Sequence, residues 1–318
     1  MRLVVLAKPG GAHLSVLERL PADVKATIGP DVKSLSGVIE EAEVIVNGGH
    51  DGEVLQALWP KAKSLKWIHS LSAGVENLVF PELRKSLIPL TNARGVYKKS
   101  LAEFAILGML YFAKDVRRLM RQHQAGQWEQ FDVEEIRLQV CGVVGYGEIG
   151  REVAKLAKTM GMTVLATRRR VVESSDEFAD EILPANRMAD VLSRSDYVIA
   201  CSPLTPETRH MIGAQEFAAM KPSGVFMNIG RGAVVDEPAM IAALSEGKIR
   251  GAALDVFETE PLPKDSPLWR LENVLLSPHS ADHTATWQQD SVEFFLENFA
   301  RYRKGEPLLN VVDKQAGY

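Results

Sequence analysis

The chain has 318 residues, of which 46% are hydrophobic and 25% are charged, and this balance is typical of a folded globular protein rather than a disordered or fibrous one. Its formal net charge is −4, and acidic and basic residues alternate without a long basic block, so the composition argues against nucleic-acid binding. At roughly 150 residues per domain, the length predicts two domains.

The sequence contains no signal for a membrane or a secreted protein. No window approaches the ~20 consecutive apolar residues of a membrane span. The apolar run before Lys8 is only as long as one strand, so we interpret it as a buried strand and not as a signal peptide. Two cysteines, Cys141 and Cys201, are too few for a disulfide framework, and no histidine pattern has metal-ligand spacing. We therefore expect a cytoplasmic protein without a metal site.

Short apolar runs rich in valine and isoleucine alternate with helical patterns along the chain. After the first strand, these runs predict strands at residues 43–47, 66–70, 140–145, 163–167, 196–201, 224–229, 250–254 and 273–276. Such alternation predicts an α/β fold, with doubly wound parallel sheets of the Rossmann kind covered by helices on both faces.

Long helix-compatible runs at residues 101–120 and 284–304 flank a complete nucleotide-binding pattern. We interpret these two runs as the crossings between two domains, with the cofactor domain inserted into the substrate domain. The predicted substrate domain comprises residues 1–98 and 286–318. The predicted NAD(P)-binding domain comprises residues 99–285.

The strand at residues 140–145 leads into a glycine motif of the form G-x-G-x-x-G, and a helical run follows. Gly145 allows the tight turn, Gly147 lets a pyrophosphate approach the backbone, and Gly150 lets helix and strand pack closely. A glycine-rich turn without a ligand is the alternative, but the strand–turn–helix–strand context favours a cofactor. We therefore predict a dinucleotide held by Gly145, Tyr146, Gly147, Glu148, Ile149 and Gly150.

The residues after the second strand of this domain indicate which dinucleotide is bound. An NAD site usually has Asp or Glu about 20 residues after the glycine turn, where it binds the ribose hydroxyls. Residues 153–172 contain no acid, and the strand ends in Thr167 followed by three arginines. A solvated arginine loop is the alternative. Because Thr167, Arg168 and Arg169 can bind a 2′-phosphate, we predict that NADP(H) is preferred over NAD(H).

Three polar segments follow later strands, at residues 228–232, 255–262 and 277–279. Because the carboxyl ends of parallel strands meet where open α/β folds bind ligands, we expect these segments to form one site. Arg231 can bind a carboxylate through its planar guanidinium, and His279 can exchange a proton near neutral pH. Glu260 is the candidate partner that raises the histidine pKa. Each residue alone has a structural alternative, and His283 is the local competitor of His279.

With these motifs in this order, the sequence resembles the D-isomer-specific 2-hydroxyacid dehydrogenases, in particular the glyoxylate and hydroxypyruvate reductase branch. The resemblance covers residues 72–76, 102–104, the glycine motif, 203–208 and the three polar segments. It implies that Arg231, Glu260 and His279 are catalytic, and that the N–H groups of Ala73 and Gly74 bind a substrate carboxylate together with Arg231 and His279.

Further cofactor contacts are expected from residues that follow the strands of the same sheet. These are Cys201, Pro203, Thr208, Ile229, Gly230 and Asp255. For Asp255, the resemblance implies a contact with the nicotinamide carboxamide, and a cap for the following turn is the alternative.

Two features limit what the resemblance implies about the substrate. The family commonly has apolar and small residues after the catalytic histidine, whereas Ser280 and Asp282 make this pocket more polar. Formate dehydrogenases of this fold pair their histidine with Gln, and Glu260 argues against that activity.

The predicted function is hydride transfer from NAD(P)H to a small 2-oxo acid, such as glyoxylate or hydroxypyruvate, to give a D-2-hydroxy acid. The alternative is a non-enzymatic, dinucleotide-sensing protein of the corepressor kind that uses the same fold. We expect no nucleic-acid partner and no membrane partner. We also expect a homodimer, formed through the apolar run at residues 101–120 and the region around Trp128.

Overall fold

Two separate parallel sheets organise the chain, one in each of its two structural units. The computed structural model describes residues 1–49, 52–170 and 173–318. The terminal unit comprises Met1–Tyr97 and Thr284–Tyr318, and the central unit comprises Lys98–His283. The predicted fold class, two α/β domains with parallel sheets, is confirmed.

Twelve strands lie within the described residues. They are β1 (Arg2–Leu6), β2 (Lys25–Gly29), β3 (Ala42–Asn47), β4 (Trp67–Ser70), β5 (Leu90–Asn92), β6 (Val140–Val144), β7 (Thr163–Arg168), β8 (Glu181–Pro184), β9 (Tyr197–Ala200), β10 (Val225–Asn228), β11 (Gly251–Leu254) and β12 (Val274–Leu276). The order in the terminal unit is β2-β1-β3-β4-β5, and the order in the central unit is β12-β11-β10-β9-β6-β7-β8.

The same ranges contain ten α-helices. They are α1 (Val32–Leu35), α2 (Glu53–Leu58), α3 (Pro81–Lys85), α4 (Lys98–Ala113), α5 (Val116–Ala125), α6 (Glu148–Thr159), α7 (Met188–Arg194), α8 (Ala214–Ala219), α9 (Glu237–Ser245) and α10 (Trp287–Lys304). Among the described residues, no helix has the length and apolar character needed to cross a membrane.

Both faces of the terminal sheet are buried, which explains its continuous apolar strands. In β3, Ile45 packs into one apolar cluster while Val44 and Val46 pack into a second cluster. Since successive side chains of a strand point to opposite faces, these two clusters lie on opposite sides of the sheet. In the central unit, apolar residues of β9, β10 and β11 pack with α8 and α9 in one large cluster.

The structure adds three strands that the sequence patterns did not predict: β2, β5 and β8. Each lies at the edge of its sheet. β2 is only partly buried and has the mixed sequence Lys-Ala-Thr-Ile-Gly, whereas β5 is buried but has only three residues, Leu-Thr-Asn, of which two are polar. The continuous apolar signal of a central strand is therefore absent at these edges.

The prediction of one long helix over residues 101–120 is wrong, because two helices, α4 and α5, occupy this region. They are separated at Asp115, whose backbone is left-handed with φ of 45°. The Asp115 carboxylate accepts a hydrogen bond from the Arg118 N–H at 3.2 Å, so it caps the second helix. Residues 171 and 172, which close the acid-free stretch discussed above, lie outside the described residues.

A fully buried histidine lies in β4 of the terminal unit. His69 Nδ1 is 2.7 Å from Thr91 Oγ1, and its ring packs against Phe294 and Phe295. Its Nε2 atom is buried without a hydrogen-bond partner in the part of the chain that the structure describes. Burial lowers the pKa of His69 from 6.5 to about 3, so the ring is neutral in the folded protein at neutral pH.

We expect His69 to make the protein less stable in acid. Below pH 6.5 the unfolded chain protonates this ring, whereas the folded chain does so only near its pKa of about 3, so stability falls as the pH drops between these values. Between pH 7 and pH 4.5 this loss is about 2–3 kcal/mol. His69→Phe preserves the ring packing, and its free energy of unfolding in urea should depend less on pH over this range. Parallel pH dependences of the two proteins would show that His69 does not contribute.

Candidate active site

The glycine motif forms a tight turn between β6 and α6. The N–H groups of Gly145 and Tyr146 both donate to the Thr167 carbonyl, at 3.2 and 2.8 Å, which ties the turn to the end of β7. Gly145 has a left-handed φ of 103°. A Cβ there would lie 2.6 Å from Ser202 Oγ, so both conformation and space require glycine. The sequence analysis did not identify Ser202. The one sequence feature that could have indicated it is its position shortly after a buried strand.

The other two glycines of the motif have the properties that a pyrophosphate site needs. A Cβ on Gly150 would lie 2.4 Å from the Gly145 carbonyl oxygen, whereas a Cβ on Gly147 would meet nothing within 4 Å. Gly147 is the N-cap of the 12-residue helix α6, and no side chain caps the helix there. Unsatisfied N–H groups and the helix dipole attract phosphate, so this end of α6 fits a dinucleotide pyrophosphate.

The side chains within the motif contact the protein. Glu148 Oε2 lies 2.9 Å from Lys98 Nζ, and the buried Tyr146 hydroxyl donates to Asp176 Oδ1 at 2.7 Å. The side chain of Ile149 is half-buried. Burial, together with the bond to Asp176, raises the pKa of the Tyr146 phenol, so this hydroxyl keeps its proton. The motif therefore offers a ligand its backbone groups.

The end of β7 combines one buried hydroxyl residue with a positive charge. Thr167 is 3% exposed, whereas Arg168, Arg169 and Arg170 are all exposed. A hydrogen bond with Thr205 is the main cause that lowers the pKa of Glu207, and the positive charge of Arg169 adds to it, so Arg169 lies near the loop that follows β9. The arginine run thus begins beside the glycine turn, because Thr167 itself accepts the hydrogen bonds of that turn.

Two loops after β9 and β10 form the next part of the same sheet edge. The Cys201 N–H donates to the Val144 carbonyl at 2.8 Å, and the Thr208 hydroxyl donates to the Pro203 carbonyl at 2.7 Å. The Ile229 N–H donates to the Ala200 carbonyl at 3.2 Å. These contacts bring the segments that carry Cys201, Pro203, Thr208 and Ile229 next to the glycine turn.

Asn228 shapes the backbone that presents Arg231. Its Oδ1 accepts from the Gly230 N–H at 3.1 Å, and its Nδ2 donates to the Arg231 carbonyl at 3.0 Å. Arg231 Nη1 donates to the Gly230 carbonyl at 2.9 Å. Asn228 is 2% exposed, and a buried amide at the end of an apolar strand is the signal that identifies it as a positioning residue.

The three predicted catalytic residues lie together. His279 Nδ1 is 2.7 Å from Glu260 Oε2, and Glu260 Oε1 accepts from the Phe257 N–H at 2.9 Å. The bond to Glu260 raises the pKa of His279 above its ordinary value, although burial and the nearby Arg231 oppose it. Burial alone would raise the pKa of Glu260, but the hydrogen bonds from His279 and Phe257 outweigh it and lower that pKa.

Asp255 holds the loop that carries His279. Its Oδ1 accepts three hydrogen bonds, from the Ser277 hydroxyl at 2.7 Å and from the N–H groups of Ser280 and Ala281 at 2.9 and 3.0 Å. Its carbonyl accepts from the His279 N–H at 2.8 Å. His279 has a left-handed φ of 51°, so this anchoring supports a strained backbone at the histidine.

The competitor histidine has different surroundings. His283 Nε2 lies 3.7 Å from Asp282 Oδ1, too far for a hydrogen bond, and Glu260 pairs with His279 instead. Burial raises the pKa of Asp282, and its Oδ1 has no hydrogen-bond partner among the described residues. Of these two histidines, His279 is therefore the one that Glu260 contacts.

The predicted substrate turn lies in the terminal unit, after β4. The Ala73 carbonyl accepts from Asn92 Nδ2 at 2.6 Å, and the Ala93 N–H donates to the Ser72 carbonyl at 3.1 Å. Within the described residues, no hydrogen bond engages the N–H groups of Ala73 and Gly74. Two adjacent N–H groups without a protein acceptor can bind an anion.

Comparison with known proteins identifies the family. Residues 106–281 match the family described as D-isomer specific 2-hydroxyacid dehydrogenase, NAD binding domain. A glyoxylate/hydroxypyruvate reductase B of Salmonella typhimurium is 33% identical over 314 residues, which cover 95% of each chain. This chain belongs to the D-isomer specific 2-hydroxyacid dehydrogenase family. The predicted family, its reductase-like branch and the enzyme class are thereby confirmed.

Structural comparison supports the same family. The crystal structure of an NADPH-dependent glyoxylate/hydroxypyruvate reductase from Sinorhizobium meliloti, in complex with NADP and sulfate, superposes with a TM-score of 0.88. The two sequences are 25% identical, and the match covers 100% of this chain and 99% of that one. The family match shows that the central unit contains the predicted dinucleotide-binding domain, described as an NAD binding domain over residues 106–281.

Members of this family differ in substrate and in length. A D-3-phosphoglycerate dehydrogenase of Methanocaldococcus jannaschii is 34% identical over 307 residues, which cover 94% of this chain. This chain spans only 57% of the length of that relative. Family membership alone therefore does not identify the 2-oxo acid.

Proposed function

We propose that the chain reduces a small 2-oxo acid of the glyoxylate or hydroxypyruvate kind to its D-2-hydroxy acid, with hydride from NAD(P)H. The observation that carries this proposal is the contact between His279 and Glu260 beside Arg231, on the sheet that also bears the glycine motif. The non-enzymatic alternative is not favoured, because relatives over nearly the whole length of the chain are named as reductases.

Each catalytic residue has a role that follows from its surroundings. Arg231 binds the substrate carboxylate and polarises the adjacent carbonyl. A bound reduced nicotinamide supplies hydride to C2. His279, kept protonated by Glu260, donates its proton from Nε2 to the carbonyl oxygen, so that the C=O group becomes CH–OH. In the reverse direction, neutral His279 accepts the hydroxyl proton.

The remaining predicted site residues enter the proposal as binding groups. The N–H groups of Ala73 and Gly74 donate to the substrate carboxylate, which makes the terminal unit the substrate domain. The central unit is the cofactor domain. There the backbone of the glycine motif binds the pyrophosphate, and Asp255, which holds the His279 loop, is proposed to contact the nicotinamide carboxamide as the family resemblance implies. Further cofactor contacts come from Cys201, Pro203, Thr208, Ile229 and Gly230.

The preference for NADP(H) is supported by charge at the end of β7. Thr167 and the exposed Arg168 and Arg169 stand where an NAD site has its acidic residue. The Sinorhizobium relative is described as NADPH-dependent, which agrees with this proposal. A cytoplasmic location is part of the same proposal, because the cysteines Cys141 and Cys201 are both free thiols.

The homodimer is supported by apolar side chains that the central unit exposes. They lie on α4, on α5 and on the segment that follows α5: Leu107, Leu119, Met120, Trp128, Val133 and Leu138. Trp128 is 96% exposed, although Arg118 stacks on Phe131 at 4.3 Å and Arg250 pairs with Glu134 to hold this segment in place. A second copy of the chain is the proposed occupant of this surface.

The catalytic proposal predicts two distinct kinetic defects. His279→Ala should lower the rate of reduction by about 10²- to 10⁴-fold, the usual contribution of general acid catalysis. Glu260→Gln should shift the pH profile of reduction downward, because the histidine pKa falls and the acid form is lost at lower pH. Steady-state kinetics across pH test both, with cofactor binding measured separately. Near-native turnover by His279→Ala would refute the assigned role and turn attention to His283.

The cofactor proposal predicts a higher kcat/KM with NADPH than with NADH. Charged hydrogen bonds contribute about 1.5–3 kcal/mol each, so two contacts give a preference of about a hundredfold or more. Thr167→Asp combined with Arg168→Ala should reverse the preference. Arg187→Ala, which removes an exposed arginine paired with Asp190, should leave it unchanged. Equal or better use of NADH by the native protein would overturn the proposal.

The dimer proposal predicts a mass in light scattering of twice the 35.0 kDa of one chain. Leu119→Ser combined with Trp128→Ser should shift the equilibrium toward the monomer, because it places hydroxyls in the apolar contact. Leu87→Ser is the matched control, since Leu87 is 99% exposed but lies in the terminal unit. A native mass near that of one chain at micromolar concentration would exclude the dimer.

A further inference from the structure

Acidic residues are not missing from the region beyond β7; they come a few residues later. Glu173, Asp176 and Glu177 follow the arginine run. Residues 173–180 contain no helix and lead into β8, and the Phe178 and Ala179 N–H groups donate to Asp176 Oδ1 at 2.8 and 2.9 Å. The sequence spacing alone does not say whether these carboxylates affect a bound cofactor.

Asp176 lies directly against the glycine motif. Its Oδ1 accepts from the Tyr146 hydroxyl at 2.7 Å, and Tyr146 is the residue between the first two glycines. Arg168 is near enough to Tyr146 to act on the pKa of its phenol. Asp176 and Arg168 therefore both lie in the surroundings of the Tyr146 side chain.

The Arg151 guanidinium forms ion pairs with the carboxylates of both Asp176 and Glu177. Arg151 Nε lies 3.2 Å from Asp176 Oδ2, and its Nη2 lies 3.1 Å from Glu177 Oε1. Its guanidinium also stacks over the Phe178 ring at 4.5 Å. Arg151 belongs to α6 and immediately follows Gly150, so the helix that presents its N-terminus to the pyrophosphate also holds these acids.

This arrangement determines which charges remain available at the end of β7. In the described part of the chain, no ion pair engages the Arg168 guanidinium, whereas both carboxylates have Arg151 as partner. Without Arg151, the net charge of this cluster would change from −1 to −2, and the two carboxylates would repel a nearby 2′-phosphate more strongly.

We propose that Arg151 is a specificity-determining residue for NADP(H), because its pairing with Asp176 and Glu177 offsets one of their two negative charges beside the glycine turn, where the 2′-phosphate is proposed to bind. The inference rests on the proposed preference for NADP(H). Arg151 acts through other residues, and it has no role in hydride transfer or in binding the substrate carboxylate.

The test compares equilibrium binding and kinetics for both cofactors in four proteins. They are the native protein, Arg151→Met, the triple variant Arg151→Met/Asp176→Asn/Glu177→Gln, and the control Lys158→Met. Lys158 lies on the same helix and pairs with Asp180 at 2.8 Å, so the control removes the same charge and an equivalent anchor of the same segment. Dissociation constants of NADP⁺ and NAD⁺ from calorimetry give a readout that does not depend on turnover.

Arg151→Met should reduce the ratio of NADP⁺ to NAD⁺ affinity by about three- to tenfold, the scale of a few surface charge interactions. The same change should appear in KM for NADPH with kcat preserved, and should shrink in high salt because exposed charges are screened. The triple variant should return the ratio at least to the native value, since it removes both acids together with the cation and brings the net charge of the cluster from −2 to zero. Lys158→Met should keep it. Melting temperatures show which variants are folded. If Arg151→Met is unfolded, the cofactor ratio of the triple variant is compared with that of the native protein instead.

Three results would count against the inference. An unchanged ratio in Arg151→Met would overturn it directly. A reduced ratio that the triple variant does not restore would show that Arg151 only anchors the segment, and would also overturn it. If the native protein itself shows no preference for NADP⁺, the proposed cofactor preference fails first, and this is visible without any variant.

Discussion

The hydrogen-bonded register of the central parallel sheet is the constraint on which the candidate site depends. In this register one row of residues crosses six strands at their carboxyl ends: Thr167, Val144, Ala200, Asn228, Leu254 and Leu276. The proposed functional residues of the central unit lie on this row or in the segments that directly follow it, including the first turn of α6. Because parallel strands all point the same way, residues far apart in sequence emerge at one edge, and the loops need only turn toward each other.

Alignment of the strands places His279 at this edge, but its orientation has a separate cause. The histidine has a left-handed backbone, which a residue with a Cβ adopts only when the surroundings enforce it. Asp255, which follows the neighbouring strand, holds this backbone in place. Its side chain accepts a hydrogen bond from the Ser280 N–H, and its carbonyl accepts one from the His279 N–H. The alternative interpretation of Asp255, as a cap for the turn that follows it, is therefore compatible with a role in the site, because the same residue holds the His279 loop.

The sequence predicted the interior strands, the glycine motif and the residues Arg231, Glu260 and His279, because continuous apolar runs and glycines report directly on burial and backbone geometry. It did not predict three of the four edge strands, β2, β5 and β8. The break at Asp115 was also missed, since helix-compatible residues lie on both sides of it. Contacts such as Arg151 with Asp176 join residues 25 positions apart, and no periodic pattern encodes them.

The charges at the site also couple binding to protonation in the proposed reaction. The hydrogen bond to Glu260 raises the pKa of His279, whereas burial and the positive charge of Arg231 lower it. A carboxylate that binds Arg231 neutralises part of that opposing charge. Substrate binding therefore raises the histidine pKa further, and a protonated His279 in turn favours the anionic substrate. In the proposed reaction, Arg231 thus binds the 2-oxo acid and, once it is bound, also favours protonation of His279, which donates the proton used in the reduction.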